Sequence, residues 1–295
     1  MIHPLSYSLF GILLCICTIL FYKSFGIIST ICILLCIHFR ILRVKPLLNL
    51  CKSVFYTVFP NTAAKIKDNL KKSFKIRPNE EVTKGSDGRY IFMWHPHGLF
   101  AASMHFHNET DFTDWPKDIK LKATVFSGMR WLPFIHDFME GFGGIFTSYD
   151  IMKETLENTC SISVVPGGMR EMLYPGATLI KKRRGIFKMA LETGSSLVPI
   201  YSKNEDAFCE IVNLPSWIQD IFKGYDVSIP IPTWKSIQKI FSLLHKPFEE
   251  PIVSSMGKPI PVEKIENPSE KDISDLRLRY MKELNILTEN TLEIL

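Results

Sequence analysis

Charge is what the opening of this sequence lacks. Residues 4–39 carry a single formally charged side chain, Lys23, whereas the rest of the 295 residues is studded with Lys, Arg, Asp and Glu. Metal-type cysteine pairing is missing as well. Cys15, Cys17, Cys32 and Cys36 lie inside apolar runs, and Cys51, Cys160 and Cys209 are isolated. That spacing excludes a zinc module and a disulfide framework, and it fits small buried hydrophobes in a reducing compartment. There is no internal repeat, no low-complexity tract and no Walker-type loop, so a repeat array or a P-loop nucleotide hydrolase is not expected. The formal net charge is only +5, and no nucleic-acid partner is expected.

The uncharged region divides into Leu5 to Tyr22 and Phe25 to Phe39, separated by Lys23-Ser24. Each run is somewhat shorter than the ~20 residues of a straight spanning helix. Together they predict a transmembrane helical hairpin within residues 1–45, and a single long helix or a re-entrant wedge is the alternative. A cleavable signal peptide fits less well, because no basic n-region precedes the runs and no small-residue cleavage site separates them. Arg40, Arg43 and Lys45 follow directly, and the positive-inside rule puts them in the cytosol.

Residues 46–295 read as one domain. Leu47 to Phe59 is apolar and ends at Pro60, and the next segment interleaves Lys65, Lys67, Lys71, Lys72, Lys75 and Arg77 with Ile66, Leu70 and Phe74. On a helix that pattern is amphipathic, and it suits an anionic membrane surface or a solvated face. Asn79 to Gly88 reads as a loop. Strands are predicted at Tyr90–Trp94, Leu121–Phe126, Ile162–Val165, Leu197–Tyr201 and Ile252–Met256, with helical patterns over Ile151–Asn158 and Ile186–Glu192 and a terminal helix after Pro268. Alternation of this kind predicts an α/β fold with a central sheet flanked by helices.

Three stretches carry chemistry. The first is His95-Pro96-His97-Gly98, where a buried strand gives way to a tight turn. Strand ends are where reacting groups gather in α/β sheets, and histidine titrates near neutrality. Scaffolding, or a metal site completed by His105 and His107, are the other readings of the pair. The second is Pro166-Gly167-Gly168-Met169-Arg170-Glu171, which follows a strand directly. Its glycines let backbone amides approach a ligand closely, as an oxyanion or phosphate cradle requires, and they equally suit an ordinary turn. Arg170 and Glu171 read either as an exposed ion pair or as a partner for the site histidine. The third is Lys181-Lys182-Arg183-Arg184 before Gly185, suited to the phosphates of a carrier such as coenzyme A or to a solvated positive face.

In order along the chain, His95-Pro96-His97-Gly98, Val165 to Glu171, Arg183-Arg184-Gly185-Ile186-Phe187-Lys188-Met189-Ala190 leading into Gly194 to Ile200, and Met256-Gly257-Lys258-Pro259-Ile260 resemble the diacylglycerol acyltransferase type 2 family. That family also includes monoacylglycerol and wax-alcohol acyltransferases. The resemblance runs from the apolar hairpin to the last helix. It implies a glycerolipid-acyltransferase-like sheet, and transfer of a fatty acyl group from acyl-CoA to a neutral lipid alcohol, with diacylglycerol foremost, on the cytosolic face of the endoplasmic reticulum membrane; acylation of monoacylglycerol, a long-chain alcohol or a lysophospholipid, and a membrane lipid-binding protein without turnover, are the alternatives. It implies no cofactor beyond acyl-CoA as co-substrate, and no metal. The His-Pro-His-Gly pair, His95 and His97, is then the catalytic element, with His97 as general base and His95 shaping the turn or holding a hydrogen bond. Gly98, Pro166, Gly167, Gly168, Arg170, Lys182, Arg183, Arg184 and Gly185 are the substrate-binding candidates.

Three departures bear on this resemblance. Val58-Phe59-Pro60 stands where the family often has Tyr-Phe-Pro. The wider superfamily pairs its histidine with an Asp five positions on, and that position is Ala102 here. A carboxylate orienting His97 must then come from elsewhere, with Glu171 expected first and Glu109 second. Pro166-Gly167-Gly168-Met169-Arg170 replaces the Pro-Glu-Gly-Thr-Arg of phosphate-acceptor relatives, which favours a neutral acceptor.

Overall fold

A strand that is apolar on both sides belongs inside a parallel sheet covered on both faces, and Tyr90–His95 is buried along its whole length. The computed structural model describes residues 53, 57–84, 89–98, 101–108, 113–128, 143–174, 176–208, 210, 212, 215 and 231–294. The first elements are α1 (Pro60–Ser73), β1 (Phe74–Arg77), α2 (Glu80–Lys84), β2 (Tyr90–His95), α3 (Ala102–Asn108), β3 (Leu121–Val125) and β4 (Ile145–Phe146). Next come α4 (Tyr149–Asn158), β5 (Ser161–Val164), β6 (Ala177–Thr178), α5 (Gly185–Thr193), β7 (Ser196–Lys203) and α6 (Glu205–Phe208). The chain closes with α7 (Trp234–Ser242), β8 (Ile252–Met256), α8 (Glu270–Leu287) and β9 (Glu293–Ile294).

Among the described residues, seven strands form one sheet in the order β1-β8-β7-β2-β5-β3-β4. The five strands from β7 to β4 are mutually parallel. β8 runs antiparallel to β7, with β1 parallel to β8. The expected α/β architecture with a central sheet is therefore present, and the parallel strands dominate it.

Alternation along β2 divides the core. Ile91 and Met93 face a cluster containing Leu156 of α4, Phe187 and Met189 of α5, and Leu276, Tyr280 and Leu284 of α8. Tyr90, Phe92 and Trp94 face the other way, toward Met104 of α3 and Trp115. Side chains of this size each stabilise the fold by about 1.5–3 kcal/mol when buried. A third cluster joins Leu70 and Phe74 to Phe208, Leu243, Phe248 and Ile252, and so fastens α1 to α7.

Two expectations change. The basic amphipathic segment is helical only to Ser73, and Phe74–Arg77 pairs with β8 as an edge strand. Phe74 is buried and Lys75 and Arg77 are exposed, a two-residue alternation that the run of cations obscures. The predicted loop after Asn79 holds the short helix α2, whose first turn carries Glu80 and Glu81 where the helix dipole favours acid. The terminal helix does start after Pro268, on a capping box between Ser269 and Asp272. The expected membrane hairpin and Glu109 lie outside the described residues, and among those residues no helix is long and apolar enough to cross a membrane.

Candidate active site

The sheet order explains the gathering of the sequence motifs. β5 and β7 flank β2 and run parallel to it, with Val164 beside Met93 and Tyr201 beside His95. All three strands therefore end on the same edge. From β2 emerge His95, Pro96 and His97, from β5 the turn Pro166-Gly167-Gly168 with Glu171, and from β7 the segment leading to Glu205. The His95–Pro96 peptide is cis.

His97 is the partly exposed member of the pair. Its Nδ1 lies 2.8 Å from the Gly98 carbonyl oxygen. A carbonyl only accepts, so Nδ1 carries the proton and the neutral ring keeps its lone pair on Nε2. Nε2 makes no hydrogen bond to any described residue. Burial lowers the pKa of His97, with the carbonyls of Gly98 and of His97 itself pulling the other way. Burial thus favours the neutral imidazole, a base whose Nε2 is uncommitted among the described residues.

His95 is fully buried. Its Nε2 lies 2.8 Å from the Tyr280 hydroxyl and its Nδ1 3.0 Å from Thr178 Oγ1, and burial depresses its pKa to about 3. The odd register of β2 aims it at α8, away from the open end of the sheet. Thr178 in turn donates to Glu171 Oε2 at 3.2 Å. One directed chain satisfies every group: Tyr280 O–H to His95 Nε2, His95 Nδ1–H to Thr178, and Thr178 O–H to Glu171. In this geometry His95 is a wedge in the scaffold, with both nitrogens engaged.

Glu171, the carboxylate expected to orient the imidazole, does something different. Oε1 accepts from the His97 backbone N–H at 3.1 Å, and Oε2 accepts from Thr178 and from the Leu179 N–H at 3.3 Å. It holds the main chain of His97 and does not touch its ring. Burial raises its pKa to about 7 against these donors. Gly167 is needed here for space, since a Cβ would sit 1.2 Å from Glu171 Oε2. Glu171 is buried while Arg170, the next residue back, is exposed.

Glu205 was not foreseen. It opens α6 and is buried against the start of α3, where its carboxylate accepts from Ser103 Oγ at 2.6 Å and from the backbone N–H groups of Ser103 and Ala102. Burial raises its pKa to about 7. It thus brings a carboxyl to the backbone of Ala102, five positions past His97. It also backs Gly98, whose φ is +56° and whose added Cβ would lie 2.8 Å from Glu205 Cγ. The only sequence signal was an acid just past the end of a buried strand.

The basic run divides into separate roles. Arg183 donates to the Gly167 carbonyl, and Arg184 pairs with Glu270 at the head of α8. Lys181 and Lys182 are exposed beside Gly185, where α5 begins. Gly168 has a φ of +64° and its N–H bonds the Val165 carbonyl, so that amide closes a turn. His107 is buried and stacked on Trp94 with ring centroids 5.6 Å apart, and burial holds its pKa at about 3. His105 lies close enough to His97 for that ring to help lower its pKa to about 4, after burial itself. Among the described residues, no three His, Cys, Asp or Glu side chains come together as a group able to hold a metal ion.

A family model of diacylglycerol acyltransferase matches residues 61–293. Among curated relatives, the acyl-CoA wax alcohol acyltransferase 2 of Mus musculus is 31% identical over 221 residues, 68% of this chain and 65% of its own. The 2-acylglycerol O-acyltransferase 1 of Mus musculus is 30% identical over 67% of this chain and 64% of its own, and the mouse diacylglycerol O-acyltransferase 2 is 29% identical over 68% and 56%. The matched part thus spans slightly under two thirds, or just over half, of these relatives' lengths. A solved 1-acyl-sn-glycerophosphate acyltransferase from Thermotoga maritima overlaps 83% of this chain and 95% of its own at a TM-score of 0.43 and 13% identity, a similarity too low to assign a shared fold. The family match begins one residue into α1 and reaches β9, taking in all three strand ends that meet at His97; the chain belongs to the diacylglycerol acyltransferase family.

Proposed function

We propose that this chain transfers an acyl group from acyl-CoA to a neutral lipid alcohol, diacylglycerol foremost, with His97 as general base. The observation that carries the reading is the 2.8 Å contact of His97 Nδ1 with the Gly98 carbonyl, which leaves Nε2 as the basic nitrogen. Nε2 removes the proton of the acceptor hydroxyl as its oxygen attacks the thioester carbonyl carbon. The carbonyl oxygen gains the charge of the tetrahedral intermediate, and backbone donors near the glycines are its proposed partners. Collapse breaks the carbon–sulfur bond, and the imidazolium returns its proton to the departing CoA thiolate. No covalent enzyme intermediate and no cofactor is needed, and acyl-CoA is a co-substrate. Lys181 and Lys182, exposed beside α5, suit the phosphates of CoA.

The acceptor reaches the site from a membrane in this proposal, with the cytosolic face of the endoplasmic reticulum as the location and residues 1–45 as the anchor. Monoacylglycerol and long-chain alcohols are the competing acceptors, because relatives named for each are similar to this chain at nearly equal identity. The test is to supply labelled acyl-CoA to membranes containing the protein, with diacylglycerol, monoacylglycerol, a long-chain alcohol and lysophospholipid as acceptors. Labelled triacylglycerol that disappears in His97→Ala, with the variant still in the membrane fraction, is the expected result. Full activity of that variant refutes the base, and preferential labelling of another product replaces the acceptor.

A further inference from the structure

We propose that the outward face of α7 is a second membrane-contact surface, one that enters the interfacial layer of an anionic bilayer. A helix on a water-facing surface normally turns its apolar stripe inward. In α7 and the turn that follows, Trp234, Ile237, Phe241 and Leu244 recur three, four and three residues apart, and three of them are open, with Trp234 at 70% and Phe241 at 62% exposure. The protein-facing side is polar at Ser236, whose hydroxyl bonds the backbone of Glu210. Of residues 234–244, Leu243 is the buried apolar side chain, and Ile240 packs partly against the same cluster.

Three observations identify the bilayer as the occupant. α7 rests against α1, with Asn69 Nδ2 donating to the Leu243 carbonyl at 2.9 Å. The chain entering α1 exposes Val58 and Phe59, and upstream of them lies the nearly uncharged stretch 4–39. Charge agrees with this. α7 holds Lys235 and Lys239 and no acid, Lys246 beyond it pairs with Glu249 at 3.3 Å, and residues 60–77 hold six cations against Asp68. Basic residues beside an aromatic and aliphatic stripe match anionic headgroups over acyl chains, where tryptophan is favoured. Ser236 also ties α7 to Glu210, five residues past Glu205, so the contact borders the segment that supports the site. The surface is inferred from its own geometry and stands independently of acyl transfer.

Full-length protein is reconstituted into vesicles of phosphatidylcholine and a minority of phosphatidylserine, with bromine on the acyl chains as a short-range quencher. Trp234 is one of five tryptophans, so Trp234→Phe isolates its share of the quenching. The expected result is greater quenching in the wild type than in Trp234→Phe, with the difference reduced by Lys235→Glu only when phosphatidylserine is present. Equal quenching in the two proteins overturns the proposal. Two other occupants overturn it as well. A second copy would show as a smaller detergent-solubilised particle in Phe241→Ser by light scattering, without bromine sensitivity of Trp234. Coverage by residues 5–39 would give Trp234 a blue-shifted, bromine-insensitive emission in detergent and vesicles alike. Turnover is not read, so failure here leaves the proposed reaction untouched.

Discussion

Gly167→Ala should disable the site while leaving the fold nearly intact. The added Cβ would lie 1.2 Å from Glu171 Oε2 and 2.2 Å from its Cδ. Non-bonded carbon and oxygen keep at least ~3 Å apart, so the carboxylate must retreat by about 2 Å. Its contacts at 3.1, 3.2 and 3.3 Å have only a few tenths of an ångström to spare before they cease to be hydrogen bonds. All three are lost together. At about 1 kcal/mol each the loss is about 3 kcal/mol, partly offset because a carboxyl whose pKa is raised to about 7 by burial gains solvent on leaving. A net destabilisation of about 1–2 kcal/mol is expected. Freed from Glu171, the His97 backbone shifts, and misplacement of a reacting group by about 1 Å costs roughly 10²-fold in rate. The assay pairs acyl-transfer kcat in detergent with a thermal melt. Gly185→Ala is the control for stability, since its Cβ meets nothing within 4 Å and should leave the melting temperature unchanged. A folded Gly167→Ala protein with kcat within about threefold of wild type would refute the assignment of Glu171 as the latch on His97.

Tyr280→Phe removes the donor to His95 Nε2 inside the core and should cost about 1–3 kcal/mol of stability, read by chemical denaturation, whereas an unchanged midpoint would contradict the directed chain. Lowering pH should destabilise the fold through its histidines. Those at 95, 107 and 105 have folded pKa values of about 3, 3 and 4, below the unfolded value, so their contribution is present above about pH 6.5 and is lost as pH falls toward the folded values. Glu171 and Glu205, raised to about 7, act oppositely: their contribution is full below about pH 4.5 and is lost as pH rises through 7. Glu205→Gln should therefore steepen the loss of stability between pH 7 and 5, and denaturation curves at both pH values that shift in parallel with wild type would count against it. Lys181→Ala with Lys182→Ala should raise KM for acyl-CoA about two- to tenfold with kcat retained, and steady-state kinetics showing the change in kcat alone would remove these lysines from the CoA subsite.

Much of this arrangement could be read from local pattern. Tyr90–Trp94, Ile162–Val165 and Leu197–Tyr201 announce themselves as buried strands by their branched and aromatic runs, and the turns after the first two announce themselves by Pro and Gly. β1 was hidden because its four residues continue a basic helix and alternate only twice. The role of Tyr280 was hidden by distance: it reads as a core position of the last helix, and only the fold carries its hydroxyl across 185 positions to His95. Glu205 opens a proline-punctuated stretch without periodicity, so nothing local separates it from Asp206 beside it. Glu171 is expected to orient the His97 ring and instead accepts from its peptide N–H, because a sequence cannot distinguish a carboxylate that grips a peptide N–H from one that grips a ring.

The partner of the His97 ring is a peptide carbonyl, and this changes what mutation can reach. A histidine steered by an aspartate loses its partner when one codon changes. Here the acceptor belongs to the main chain, which every amino acid supplies, so no side-chain substitution deletes it. The proton's position on the ring is instead written into the path of the backbone at residue 98, where φ is +56° and Glu205 leaves no room for a Cβ. The vulnerability of the base is therefore conformational, and it is concentrated in a residue that has no side chain.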